Sequence, residues 1–212
     1  MQIAIIGAGS VGGALGTVWS GQGHGVVYGV RRPDEAKVKA LVAAAKGRAC
    51  AAPLAACAAR AEVAVLATPW TATEAAIRAA GGLAGNVVLD CTNPLAMGPA
   101  GLGLALGHTD SGGEAVQRWA PAAKVVKTLN TTGFANMADA RFPGGKAAMF
   151  YCGDDAAAKR AAHGLVGDLG FEAVDAGALA AARLLEPLAI LWIGLAMKQG
   201  LGRDFAFALL RK

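Results

Sequence analysis

Residues 2–12 read Gln2-Ile3-Ala4-Ile5-Ile6-Gly7-Ala8-Gly9-Ser10-Val11-Gly12, a short apolar run followed directly by three spaced glycines. The apolar run predicts a buried strand, and the spacing of apolar residues over 10–20 predicts a helix. A strand, a G-x-G-x-x-G turn and a helix in this order are typical of the first unit of a dinucleotide-binding α/β fold. We therefore predict that Gly7, Gly9, Ser10, Val11 and Gly12 bind a pyrophosphate at the amino end of this helix.

Predicted strands and helices alternate along the rest of the chain. The predicted strands cover 2–6, 25–30, 62–67, 87–90, 124–129, 147–152 and 171–175; the predicted helices cover 10–20, 33–46, 71–80, 154–169 and a stretch from about 178 onwards. Pro33 is expected in the first turn of its helix, and Asp154 is expected to cap the helix that it begins.

This alternation predicts a mostly parallel sheet with helices on both faces. The fold class is therefore α/β, a doubly wound Rossmann-type fold with a short helical C-terminal addition. We expect a dinucleotide-binding domain over 1–180. The helical segment over 181–212 is expected to pack on that domain or on a second subunit.

The end of the second predicted strand indicates which dinucleotide binds. NAD-preferring sites carry an acidic residue there, about 20 residues beyond the glycine motif, whereas this chain has Val30, Arg31 and Arg32. A guanidinium pairs with a 2′-phosphate through two charge-assisted hydrogen bonds. The pattern favours NADP, the alternative being a solvated loop in which Asp34 and Glu35 neutralise the two arginines.

Three further strand ends are predicted to form the wall of the cofactor site, because ligands of open α/β sheets lie across the carboxyl ends of the strands. The residues concerned are Thr68, Pro69 and Trp70, then Asn93 and Pro94, and finally Asn130. Trp70 is expected near the nicotinamide, with an ordinary core aromatic as the alternative. The glycine-rich segment 93–113 is interpreted as a functional loop because it directly follows a strand.

Composition excludes several classes of function. The 212 residues carry a formal net charge of +5 without clustered basic residues, which argues against nucleic-acid binding. The strongest apolar run, 188–197, is about half of the ~20 residues that span a bilayer. No leader is recognised before the first strand, so we expect a cytoplasmic protein with no membrane partner. The four cysteines are widely spaced, which predicts no metal site and buried thiols in a reducing cytosol.

No catalytic acid or base is evident from the sequence. The three histidines, His24, His108 and His163, fall in a turn, the glycine-rich loop and a predicted helix. His108 is the residue to mutate if the substrate is a carbonyl. The C-terminal stretch around Trp192 is apolar on all sides, which predicts burial against the domain or in a homodimer interface.

The chain resembles the coenzyme F420-dependent NADP oxidoreductase family over nearly its whole length. The resemblance rests on the order of these motifs: the glycine turn, residues 29–32, Thr68-Pro69-Trp70, 90–94, 125–131, 152–155 and 183–187. It implies that 9–11 hold the pyrophosphate, Arg31 and Arg32 the 2′-phosphate, and Pro69 and Trp70 the nicotinamide side. Val30 departs from the family, whose members often have serine there.

The resemblance implies hydride transfer between NADPH and a small-molecule acceptor, the deazaflavin coenzyme F420. Such a reaction requires stacking, orientation and exclusion of water rather than acid–base groups, so a missing proton relay is expected. The alternatives are an NADPH-dependent reductase of another flavin-like, carbonyl, imine or metal-chelate acceptor, and a regulatory module that binds NADP without turnover.

Overall fold

The computed structural model describes residues 1–45, 47–99 and 101–212. The strands are β1 (Gln2–Ile6), β2 (Gly25–Gly29), β3 (Ala49–Ala52), β4 (Val63–Leu66), β5 (Val87–Asp90), β6 (Leu95–Gly98), β7 (Gly101–Leu104), β8 (Lys124–Thr128), β9 (Ala148–Gly153) and β10 (Glu172–Asp175). The helices are α1 (Ser10–Gly21), α2 (Ala36–Ala44), α3 (Leu54–Ala58), α4 (Trp70–Ala79), α5 (Gly112–Trp119), α6 (Phe134–Ala138), α7 (Ala156–Asp168) and α8 (Ala182–Met197).

Eight strands form one sheet in the order β10-β9-β8-β5-β4-β1-β2-β3. The pairs are parallel except β8 with β9, so the predicted mostly parallel, doubly wound sheet is confirmed. Strands β6 and β7 form a separate antiparallel hairpin. Strand order reverses beside β1, which is where dinucleotides bind in folds of this class.

Alternation along β1 shows why both faces of the sheet are covered. Ile3 and Ile5 belong to one hydrophobic cluster, shared with α1 and α7, whereas Ala4 and Ile6 belong to a second. Successive side chains of a strand point to opposite faces, so an all-apolar strand requires a core on each side. Every residue from Ile3 to Ile6 is fully buried.

Helix α8 is apolar on its exposed face as well as on its buried face. Leu185, Ala189 and Trp192 are buried in the domain, whereas Leu184 and Leu191 are 72% and 52% exposed. The helical segment Leu179–Met197 has the length and mean hydropathy (1.7) of a membrane-crossing helix, but it packs on the sheet as part of this domain. The homodimer that the sequence predicts through this helix stays a prediction.

Several sequence-based boundaries are wrong. The helix predicted from Pro33 begins at Ala36, because Pro33 lies in the preceding turn and Glu35 is the N-cap residue. The predicted last residue of this helix, Lys46, lies outside the described residues. The predicted cap Asp154 instead accepts a hydrogen bond from the amide of Leu179 (2.9 Å). Its neighbour Asp155 caps α7 by accepting from the amide of Ala158 (2.8 Å).

Two further expectations are corrected by the structure. The segment predicted as a loop over 93–113 contains the β6–β7 hairpin and the start of α5, because its glycines allow the tight return between two short strands. The four thiols are not all buried: Cys57, Cys91 and Cys152 are, but Cys50 is exposed on the edge strand β3.

Candidate cofactor and acceptor site

The glycine turn joins β1 to α1 and leaves the amino end of α1 open. Gly7 has a φ of +112°, and a Cβ there would lie 2.5 Å from the carbonyl oxygen of Ala67. A Cβ on Gly12 would overlap the carbonyl oxygen of Gly7. Gly9 flanks α1 without any side-chain cap, so the first amides of the helix are free to donate to an anion. This geometry fits a pyrophosphate.

The end of β2 fits a 2′-phosphate. Arg31 is exposed and forms no ion pair with the described acidic residues. Arg32 is partly engaged, since its Nε lies 2.7 Å from a carboxylate oxygen of Glu35, which also pairs with Lys37. The half-buried Val30 at this strand end offers no carboxylate to repel the phosphate. Arg31 is therefore the freer of the two guanidiniums.

The residues that follow β4 and β5 lie in two different parts of the site. The methyl group of Thr68 lies against the Gly7 turn, and its hydroxyl is 2.9 Å from that of Thr73. Trp70, directly after Pro69, packs on Trp119 with ring centroids 5.0 Å apart. Its ring also faces Gly112 of α5, as does the ring of Pro94. Thr68 is thus beside the glycine turn, whereas Trp70 and Pro94 line the start of α5.

Asn93 and Asn130 bind each other across the ends of β5 and β8. Asn130 donates from Nδ2 to Oδ1 of Asn93 (3.0 Å), and Asn93 donates to the backbone carbonyl of Asn130 (3.0 Å). Asn130 is 4% exposed, and its Oδ1 has no hydrogen-bond partner among the described residues. The preceding residue, the buried Leu129, has a left-handed φ of +56°, and the backbone turns there before Asn130. A buried amide oxygen without a partner can accept a hydrogen bond from a ligand.

Three buried ionisable side chains, those of Lys127, Asp90 and Glu186, form a triad beside this edge of the sheet. The ammonium Nζ of Lys127 is 2.9 Å from a carboxylate oxygen of Asp90 and 2.9 Å from one of Glu186. Glu186 also accepts hydrogen bonds from the amides of Gly112 (2.9 Å) and Gly113 (3.0 Å) at the amino end of α5. Burial lowers the pKa of Lys127, but the two carboxylates outweigh it and hold that pKa above its ordinary value.

The buried ion triad was not identified from the sequence. Lys127 follows Val125 and Val126 in a strand that is covered on both faces, and it pairs in register with Asp90 on β5. A lysine inside a doubly covered strand requires a carboxylate partner, which is a signal that the sequence contains. Glu186 gave no such signal, because it reaches the triad from α8.

A cavity of about 580 Å³ opens beside the glycine turn. It is lined by Val11, Leu95, Leu102, residues 132–135, Ile190, 192–194, Met197, Lys198 and Arg203. Its volume lies within the range of small-molecule sites, about 300–1,000 Å³. The wall therefore combines the first turn of α1, the β6–β7 hairpin, α6 and α8 around one largely apolar space.

The structure brings only part of the predicted site to this cavity. Val11 lines it directly; the side chains of Arg31, Trp70 and His108 do not. His108 is exposed, with a φ of +57° in the bend before α5. Leu95 and Leu102 belong to the segment 93–113 that was interpreted as functional. Apart from these two and Val11, the lining residues were not predicted, since single apolar residues on separate elements resemble ordinary core residues.

Comparison with known proteins identifies the family. Residues 2–94 match the model of the family described as NADP oxidoreductase, coenzyme F420-dependent. The crystal structure of a proposed F420-dependent NADP reductase from Arthrobacter sp. FB24 is 36% identical, with each chain covering 100% of the other and a TM-score of 0.90. The chain belongs to this family. It is an NADPH-dependent oxidoreductase with a Rossmann-type fold.

Other solved structures support the fold. The hypothetical protein SMa0349 from Sinorhizobium meliloti is 27% identical and has a TM-score of 0.77; the match covers 100% of this chain and 96% of that protein's chain. A reductive aminase from Aspergillus terreus, solved with NADPH and ethyl levulinate, is 22% identical over 94% of this chain and 62% of its own, with a TM-score of 0.68. A comparison with curated protein sequences found no match.

Proposed function

We propose that this oxidoreductase transfers a hydride between NADPH and a deazaflavin, the acceptor being coenzyme F420 or a close relative. The observation that carries the proposal is the apolar cavity beside the glycine turn. Two aromatic rings, those of Phe134 and Trp192, contribute to its wall. A planar ring system of this kind is held by apolar and aromatic surface, which is what the cavity offers.

The cofactor residues predicted from the sequence remain the proposed binding residues for NADPH. NADPH is proposed to lie on Gly7, Gly9, Ser10, Val11, Gly12, Val30, Arg31, Arg32, Thr68, Pro69, Trp70, Asn93, Pro94 and Asn130. The free amides of α1 hold the pyrophosphate, and Arg31 binds the 2′-phosphate. The unpartnered Oδ1 of Asn130 accepts a hydrogen bond from the carboxamide end of the cofactor.

The chemistry asks for orientation rather than acid–base catalysis. Bound NADPH would supply two electrons as a hydride to the ring carbon of the acceptor and become NADP⁺, and water would supply the one proton that the reduced ring needs. Among the described residues that line the cavity there is no histidine, carboxylic acid or tyrosine. A carbonyl substrate is usually protonated by a side chain held at the reacting atom, whereas the polar side chains among the described lining residues are Thr132 and the solvent-exposed Lys198 and Arg203.

Mixing the enzyme with NADPH and oxidised coenzyme F420 tests the proposal. We expect loss of the deazaflavin absorbance at the rate at which NADPH is consumed. Phe134→Ala is expected to raise the KM for the deazaflavin several-fold because it removes part of the cavity wall. Exposed Leu210, at the chain end, provides the matched control Leu210→Ala.

Two outcomes would contradict the proposal. One is NADPH binding, measured by calorimetry, without any bleaching of the deazaflavin, which would support a regulatory module. The other is NADPH oxidation with carbonyl, imine or metal-chelate substrates alone, which would identify a different reductase.

A further inference from the structure

A second cavity, of about 450 Å³, lies where helix α7 covers the last two strands of the sheet, β9 and β10. We call it the α7 cavity; it is lined by Tyr151, Ala156, Lys159, Arg160, His163 and Asp175. These residues do not line the cavity beside the glycine turn, and the proposed hydride transfer uses none of them. The volume lies within the range of small-molecule sites, about 300–1,000 Å³.

Strand register and helix periodicity bring these side chains together. Tyr151 and Asp175 are directly paired on β9 and β10, so their side chains point to the same face of the sheet. Helix α7 covers that face, because Tyr151 shares a hydrophobic cluster with the buried side chains of this helix. Ala156, Arg160 and His163 follow one another at helical spacing on one side of α7. The short side chain of Ala156 leaves room there.

The charged groups of the α7 cavity are two cations and one carboxylate. Lys159 is partly neutralised, because its Nζ lies 2.9 Å from one carboxylate oxygen of Asp175 and 3.1 Å from the other. Arg160 is exposed and lies within ion-pair distance of none of the described acidic side chains. The lining therefore carries an excess positive charge even when His163 is neutral.

Two aromatic rings complete the lining. The hydroxyl of Tyr151 lies 3.3 Å from Nδ1 of His163, and the two rings meet edge to face with centroids 5.9 Å apart. Burial raises the pKa of the Tyr151 phenol above its ordinary 10.0, so the hydroxyl keeps its proton at neutral pH. When this hydroxyl donates to Nδ1, Nε2 of a neutral imidazole carries the ring proton and can donate to a ligand.

We propose that the α7 cavity binds a small phosphate monoester. Arg160 donates two charge-assisted hydrogen bonds to the phosphate, and Lys159 adds a second cation. The cavity is larger than a phosphate ion, and the rings of Tyr151 and His163 contact the organic part of the ester. The inference goes beyond the proposed hydride transfer and does not depend on the identity of the hydride acceptor.

NMR of the histidine rings tests the proposal, because the chain contains only three histidines. Phenyl phosphate and inorganic phosphate are each titrated at fixed pH and ionic strength into protein saturated with NADPH, which fills the proposed phosphate sites at the glycine turn and Arg31. We expect a saturable shift of the His163 resonance, assigned by its loss in His163→Gln, with little change for His24 and His108. Phenyl phosphate is expected to bind more tightly than inorganic phosphate, since only the ester contacts the aromatic rings.

Two substitutions with opposite expected effects sharpen the test. Arg160→Ala is expected to raise the dissociation constant for phenyl phosphate about tenfold. Asp175→Asn is expected to lower it several-fold, because this change removes a repelling charge and releases Lys159 for the phosphate. Arg60→Ala is the matched control: Arg60 is also exposed, does not line the α7 cavity, and its removal is expected to leave the constant unchanged.

Three results would each overturn the inference. The first is a His163 resonance in the wild type that phenyl phosphate does not shift. The second is the same dissociation constant in Arg160→Ala and Arg60→Ala, or weaker binding in Asp175→Asn. The third is equal binding of the two probes, which would assign the cavity to free phosphate rather than to a monoester.

Discussion

Replacing Lys127 by methionine tests how the buried ion triad stabilises the site. The substitution keeps most of the side-chain volume and removes the ammonium, leaving Asp90 and Glu186 buried at 0% and 1% exposure without their cation. Breaking a buried ion pair by removing one partner costs about 3–5 kcal/mol, because the remaining charge is uncompensated. For a chain of this size that corresponds to a fall in Tm of roughly 6–20 °C.

Thermal unfolding followed by circular dichroism measures this change. Arg118→Ala is the matched control, since it also removes one cation from an ion pair, with Asp110, but at 58% and 34% exposure. Exposed pairs contribute at most about 1 kcal/mol, so this variant is expected to unfold within a few degrees of the wild type.

The pH dependence of the difference gives an independent check. Burial opposes the charge on Lys127, but the two carboxyl groups hold its folded-state pKa above the ordinary 10.5. The stability that Lys127 contributes should therefore be fully present below about pH 10.5 and be lost as the pH rises through the raised folded-state pKa. A Lys127→Met variant no less stable than Arg118→Ala, with a difference from the wild type that is the same below and above pH 10.5, would refute the argument that the buried ammonium stabilises the fold.

Three further predictions concern the cofactor, the acid side of the stability profile and the assembly. Arg31→Ala is expected to raise the KM for NADPH by about 10-fold or more while changing the KM for NADH less than twofold. Arg32→Ala is expected to have a smaller effect, because Arg32 already pairs with Glu35. Equal losses for both cofactors would show that Arg31 does not bind the 2′-phosphate. The pKa of Glu114 is held below its ordinary 4.5, chiefly by hydrogen bonds from Arg183 and also by one from Ser111. The wild type should therefore have a higher Tm than Glu114→Gln above about pH 4.5, and this difference should disappear as the pH falls further. Thermal scans in matched buffers measure it. If two copies pack through the exposed leucines of α8, Leu191→Lys should convert a dimer into a monomer by light scattering, and an unchanged mass would exclude that face.

The parts of the fold that local chemistry determines were predictable from the sequence. β1, the glycine turn and α1 are confirmed because each residue type there has one physical role. β3 was missed, since Ala49-Cys50-Ala51-Ala52 has no β-branched residue and becomes a strand only by pairing with β2 at the sheet edge. The reversed direction of β9 was not predictable either, because a buried apolar run has the same pattern in both directions.

The glycine turn was predictable because its backbone geometry requires particular residues. A Cβ at Gly7 or Gly12 would clash with a backbone carbonyl oxygen, whereas the binding of a 2′-phosphate by Arg31 and Arg32 stays a prediction. The cavity is different: its walls come from α1, the hairpin, α6 and α8, and each contributes apolar side chains that any core also contains. Only the fold shows that these residues enclose a space rather than fill one.

The buried triad of Lys127, Asp90 and Glu186 fixes α8 against the carboxyl ends of the strands. It thereby fixes the distance between the proposed cofactor site and the proposed acceptor cavity. Glu186 binds Lys127 of β8 and the amino end of α5, and the neighbouring carbonyl of Leu185 accepts a hydrogen bond from Asn130 (3.1 Å). The same helix continues through Ile190 and Trp192 into the cavity wall. A displacement of α8 therefore moves the wall of the proposed acceptor cavity relative to the strand ends that are proposed to face the cofactor. Because hydride transfer needs donor and acceptor carbons within roughly 3–3.5 Å, a buried ionic anchor contributes here through position. The positional effect of the triad can be separated from its effect on stability: at temperatures where Glu186→Gln remains folded, kcat should fall more than the affinity for NADPH.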